Sequence, residues 1–174
     1  MSMPTRYLLD KVIVRYTLDG MLSLSLGREL AEQQFAALKL FQSLATDGGD
    51  LFIAPASANI LERLQGSGRS EALIQLFLRR VQVAQPTRYF SRWSRRLRAY
   101  GFTPEDARMI ALGSFSTNLS REIVGMHVFI TYDHPMVNLW DQKHKEIAQR
   151  LHAMRQQLAA PYNQVQLPVI QLLK

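Results

Sequence analysis

Short apolar runs recur along this chain, each separated from the next by one or two helical patterns. The runs are "RYLL" at 6–9, "LFIA" at 51–54, "VQVA" at 81–84, "HVFIT" at 127–131 and "VQLPVI" at 165–170. Such short runs, bounded by polar or turn residues, read as buried strands. Strands that alternate with helices argue for a parallel sheet, because parallel neighbours need a crossover connection. The expected fold class is therefore α/β: a three-layer α/β/α sandwich around a small, mainly parallel central sheet of four to five strands.

The segments between the runs sharpen this reading. Val12, Ile13 and Tyr16 fit a short helix face, and Asp19-Gly20 in "DGMLSLSLG" read as breakers of a loop. Residues 28–44 place Leu30, Phe35, Leu38, Phe41 and Leu44 on one side of a helix, which "ATDGGD" ends. Ser57 reads as the N-cap of a helix to Leu64, "GSGR" at 66–69 as a break, and Ser70 as the cap of a helix to Arg80. Helices are predicted over 87–100 and from Thr103-Pro104 to Phe115, and a loop or short helix over 116–125. A long helix is predicted over 138–159, closed by Pro161, before a last strand at 164–170 that Pro168 assigns to a sheet edge. The chain lacks internal repeats and linkers, and its length suits a single domain, 1–174, with a core at 6–137. The long helix either packs over that core or forms a homodimer contact.

Composition narrows the function classes. The chain has no cysteine, which excludes disulfides and thiolate metal sites. No apolar run approaches the roughly 20 residues a membrane span needs, and the N-terminus does not resemble a signal peptide. A cytoplasmic protein with no membrane partner is expected. Lys and Arg total 21 against 14 Asp and Glu, a net charge of +7. That surplus suits polyanions: RNA, DNA, acidic lipid or an acidic protein.

Against this basic background, acids arrive at strand ends. Asp10 follows "RYLL", and Asp133 follows "VFIT" by one residue. Ligands of open parallel sheets bind beyond the carboxyl ends of the strands, so neighbouring strands would deliver both carboxylates to one crevice. Asp106 lies in the first turn of the helix that begins "TPEDARMIAL". Each acid also has a plain structural use. Asp10 and Asp133 can start turns or cap helices, and Asp106 can complete a capping box with Thr103. Three carboxylates in one pocket call for a divalent cation, and Mg²⁺ and Mn²⁺ prefer such oxygen donors.

These segments resemble the PIN-domain family, the fold of metal-dependent ribonucleases that includes many toxins of toxin–antitoxin pairs. The resemblance spans about residues 6–137 through "YLLDKVIVRY", "LFIAPASANILERL", "EDARMIALGSF" and "VFITYDHP". It is carried most specifically by "EDARMIAL" followed by "VFITYD". The resemblance implies a PIN-type endoribonuclease that hydrolyses single-stranded RNA with Mg²⁺ or Mn²⁺. It implies that Asp10, Asp106 and Asp133 are the catalytic and metal-site residues, and it matches Thr131 to a hydroxyl residue before the last acid, assigned here to substrate. It also brings a candidate partner, an acidic antitoxin-like protein.

The chain departs from the family pattern twice. The polar pair usual after the first Asp is Lys11-Val12, and no Glu stands early in the helix after the second strand. Glu62 lies about 200° round that helix from Ile60 and is expected to point elsewhere. Asn59 is either a neutral oxygen ligand or a polar helix residue. These departures leave an alternative: a catalytically weakened PIN-fold module that binds RNA or protein without cutting.

The helix "TRYFSRWSRRLRAY" carries Arg88, Arg92, Arg95 and Arg96 on one arc and Phe90, Trp93, Leu97 and Tyr100 on the other. The apolar arc reads as core. Seven arginines between 79 and 98 exceed what solubility needs, and Arg92, Arg95 and Arg96 are the candidate RNA-backbone contacts. An acidic partner would serve the same arginines. His127, His134, His144 and His152 are scattered, and His134 is either turn decoration or a contact to a scissile phosphate. Zinc, P-loop, dinucleotide and nucleophile-elbow motifs are missing.

Overall fold

Five strands form one sheet in which every neighbouring pair is parallel. A computed structural model describes residues 2–65 and 70–174, and the break predicted at 66–69 lies outside them. The strands are β1 (Arg6–Leu9), β2 (Asp50–Ile53), β3 (Gln82–Val83), β6 (Val128–Thr131) and β7 (Val169–Leu172), in the order β3-β2-β1-β6-β7 across the sheet. A separate antiparallel pair, β4 (Gln85–Pro86) with β5 (Ser116–Thr117), closes the segment between β3 and β6. The helices are α1 (Lys11–Ser25), α2 (Glu32–Thr46), α3 (Pro55–Gln65), α4 (Glu71–Leu78), α5 (Phe90–Arg98), α6 (Pro104–Ser114) and α7 (His134–Arg155).

The side-chain period of two splits the core into two layers. Leu8, Phe52 and Phe129 face one way and pack with Trp93 and Leu97 of α5, Ile110 of α6 and Trp140 of α7. Leu9, Leu51, Ile53 and Ile130 face the other and pack with Ile13 of α1, Phe41 of α2, Leu61 of α3 and Phe77 of α4. Each of these large side chains contributes about 1.5–3 kcal/mol when fully buried. The chain first runs outward from β1 to β3, then returns to the other side of β1 for β6 and β7. Right-handed crossovers then place the later helices on the opposite face, which gives the three layers. The reversal lies between β1 and β6, so the crevice of this sheet opens beside their carboxyl ends.

Several element boundaries differ from the sequence reading. The loop predicted at 19–27 is helix: α1 runs straight through Asp19-Gly20. Gly20 is buried there, and a Cβ would stand 3.3 Å from the Gln34 carbonyl oxygen, so this glycine serves a close approach of α2 rather than a break. Helix α2 starts at Glu32, four residues later than predicted, and Phe35 is 57% exposed instead of buried. Ser57 is no cap, because α3 begins at Pro55, a residue suited to a first turn. Ser70 does precede α4, but its side chain makes no capping bond. Helix α5 begins at Phe90, not at Thr87. Helix α7 begins at His134, not at 138, with Pro135 in its first turn. Its apolar stripe of Met136, Trp140, Ile147, Leu151 and Met154 packs over the core. Strand β7 takes the sheet edge but starts at Val169, not at 164: Tyr162–Gln164 form a 3-10 turn, and Pro168, which has no N–H for a ladder, precedes the strand instead of lying in it. Among the described residues, no helix is long and apolar enough to cross a membrane.

Candidate functional site

Asp10 ends β1 and is the N-cap of α1: its Oδ1 accepts the Lys11 N–H at 2.8 Å. Its backbone N–H is held by the Ile130 carbonyl at 3.0 Å, which fixes the residue against β6. Asp133 follows β6 and is the N-cap of α7, where its Oδ1 accepts the Met136 N–H at 2.9 Å. Thr103 caps α6 by accepting the Asp106 N–H at 3.1 Å, so Asp106 sits in that helix's first turn. The plain structural use of each acid is therefore real, and it coexists with a common location. Three helix N-termini from distant parts of the chain bring their acids to one cavity of about 350 Å³. Asp10, Asp106 and Asp133 line it with Lys11, Val12, Glu105, Met109, Phe129, Tyr132 and Met136. The cavity lies at the β1–β6 switch point, and the positive ends of the helices offset part of the charge there.

Thr131 organises the two strand-end acids. It is fully buried; its hydroxyl donates to Asp10 Oδ2 at 2.7 Å and accepts the Asp133 N–H at 3.0 Å. Assigned to substrate from sequence, this hydroxyl is committed to positioning both acids.

The acids repel one another. Burial pushes the Asp10 carboxyl above its ordinary range, the Thr131 hydroxyl and Lys11 N–H oppose that, and Glu105 adds to the rise. Burial likewise raises the Asp106 carboxyl, the Thr103 hydroxyl opposes, and Asp133, Asp10 and Glu105 add repulsion. Lys11 answers some of this charge. Its ammonium stands 2.5 Å from Glu105 Oε1, and that bond is the main cause of its raised pKa.

Sequence reasoning passed over Glu105, although "TPED" displays it beside Asp106. Glu62 and Asn59 are exposed on α3 and do not line the cavity, and neither does Ile60. His134, at the start of α7, does not line it either. The arginines are elsewhere. Arg92 and Arg96 line a notch with Arg150 of α7, and Arg95 is outside that notch.

The donors are all oxygen, mutually repelling and open to solvent, which suits a hard divalent cation. Among the described residues, no three His, Asp or Glu side chains are grouped as ligands of a single ion. Compared with protein-family models, curated proteins and solved structures, the chain matches none.

Proposed function

We propose that the protein is a PIN-type, metal-dependent endoribonuclease acting on single-stranded RNA in the cytoplasm. One observation carries this: Asp10, Asp106 and Asp133, from three separate segments, meet in one cavity at the switch point of the sheet. A bound Mg²⁺ or Mn²⁺ supplies water activation and charge neutralisation for phosphodiester hydrolysis. The chain's residues hold that cation and place the RNA. Asp10 and Asp133 present their carboxylates in a fixed relation because Thr131 bonds to both residues. Asp106 supplies the third from α6. The Lys11 ammonium, at the rim with Glu105, offers a phosphate a cationic contact. The basic surface steers RNA toward the cavity.

Manganese-dependent cleavage of single-stranded RNA by purified protein tests the proposal. Asp10→Asn is expected to abolish cutting while leaving RNA affinity intact. Equal cleavage by the variant removes Asp10 from the mechanism.

A second reading has its own support. The Lys11–Glu105 pair already neutralises charge at the cavity rim. Beside it, an apolar groove of about 400 Å³ is lined by Val12, Leu18, Leu22, Ile60 and Ile74, with Lys11 and Arg15 at its edge. A weakened PIN-fold module would use that groove for an acidic, amphipathic partner such as an antitoxin-like protein. RNA binding without any metal-dependent cutting would select this reading.

A further inference from the structure

The arginine surplus of α5 gathers in one place with a contribution from a second helix. Arg92 and Arg96, four residues apart, share a helix face. Together with Arg150, Ala153, Met154 and Gln157 of the C-terminal part of α7 and the segment just after it, they line a notch of about 110 Å³. Met154 is its buried floor, and the arginines around it are exposed. No carboxylate lines the notch. Among the described residues the ion pairs are Lys11–Glu105 and Lys143–Glu146, so none of the three arginines is engaged in one. Neighbouring arginines have other commitments. Arg155 donates to the Asn163 carbonyl at 2.9 Å, and Arg88 lies 5.1 Å over the Tyr89 ring. Three guanidinium groups outside any ion pair thus border one small concavity.

We propose that Arg92, Arg96 and Arg150, with Gln157, form an oxyanion notch that takes one phosphate group of an RNA backbone. The lining is three arginines and a glutamine over Ala153 and Met154, with no acidic group among them, which suits an oxyanion. Donor geometry favours phosphate over carboxylate. One guanidinium fork satisfies a carboxylate, whereas several forks converge more readily on the acceptor oxygens of a phosphate.

The notch is remote from the acids. Met136 lines the acidic cavity and Arg150 lines the notch, both on α7. Their separation of 14 residues along the helix corresponds to about 21 Å at 1.5 Å per residue. About six nucleotides of a stacked strand cover that distance, at roughly 3.4 Å each. The notch therefore holds a phosphate several nucleotides from any bond cut at the acids. It makes tight binding a property of longer RNA. The choice of RNA as the phosphate source rests on the nuclease proposal; the anion site rests on the arginines alone.

The test is binding of a fluorescent single-stranded dodecanucleotide RNA in EDTA, where cutting cannot interfere. Arg150→Gln is expected to weaken binding about tenfold and to lower the slope of log affinity against log salt by about one. Arg92→Gln should do the same, and Lys145→Gln, a charge loss elsewhere on α7, should stay within about twofold. Equal effects of Arg150→Gln and Lys145→Gln would reduce the notch to general surface charge and overturn the proposal. Arginine-dependent binding of inorganic phosphate, with RNA affinity insensitive to Arg150, would overturn the RNA assignment. Cleavage in Mn²⁺ is read separately. Notch-dependent binding without cutting would count against the nuclease proposal alone, and cutting with unaltered Arg150→Gln affinity against the notch alone.

Discussion

Thr131 is the residue on which the site's geometry turns. Its hydroxyl joins the ends of β1 and β6 by bonding to Asp10 and Asp133 at once. Thr131→Val keeps the shape and removes both bonds, leaving a buried acceptor and donor short of a partner. A loss of about 1–3 kcal/mol in urea unfolding is expected. Thr131→Ser should stay within about 1 kcal/mol of the parent, since it forfeits one methyl group. If Val and Ser behave alike, the hydroxyl is not what holds the acids. Asp106 gives a prediction with a pH signature. Its pKa is raised in the folded protein, first by burial, with Asp133, Asp10 and Glu105 adding repulsion. A carboxyl raised on folding binds its proton more tightly in the native state, so stability falls as pH rises from the ordinary value to the raised one. Above that window the loss is complete. Asp106→Asn should therefore raise the melting temperature at neutral pH, and the gain should vanish below about pH 3.5, where the carboxyl is protonated in both states. A gain that persists in acid would rule out charge as its cause. Asp10 and Asp133 were legible from sequence because each stands within two residues after a strand-like run. Glu105 and the commitment of Thr131 were not, since both depend on contacts between segments about a hundred residues apart in sequence.

At the scale of elements, the three central strands were readable because four-residue apolar segments between helical patterns admit few interpretations, whereas the edge strands β3 and β7 were displaced or shorter than their apolar runs. Breakers were less dependable. Gly20 lies inside α1 because α2 approaches it, and Ser57 lies inside α3 because Pro55 already starts that helix. Local propensity cannot report a tertiary approach. Gly113 of α6 is the same kind of glycine: a Cβ there would collide with the Pro168 ring just before β7. Alanine gains about 1 kcal/mol in helix propensity, and overpacking costs about 1–3 kcal/mol. The clash involves several atoms of a rigid ring, so Gly113→Ala should be destabilising in thermal or urea unfolding. A stabilised variant would show that Pro168 yields without cost. The arginine arc of α5 was visible from its helical period, whereas Arg150 was not, because its partners come from another helix.

The whole molecule separates its charge. A chain of net charge +7 keeps four acids, Asp10, Glu105, Asp106 and Asp133, in one cavity at the sheet's switch point and an arginine notch at the far part of α7. Diffuse positive charge draws a polyanion in, while the acidic cavity on its own would repel one. Under the proposed function a divalent cation would resolve that conflict, and it would also relieve the carboxylate repulsion that adds to the effect of burial in raising Asp10 and Asp106. The most direct test is calorimetric titration of the protein with Mn²⁺, alongside Asp10→Asn and Asp133→Asn. Saturable binding by the parent that either substitution removes is the expected result. Failure to bind at millimolar Mn²⁺, or binding that both variants retain, would contradict a carboxylate metal centre at the ends of β1 and β6.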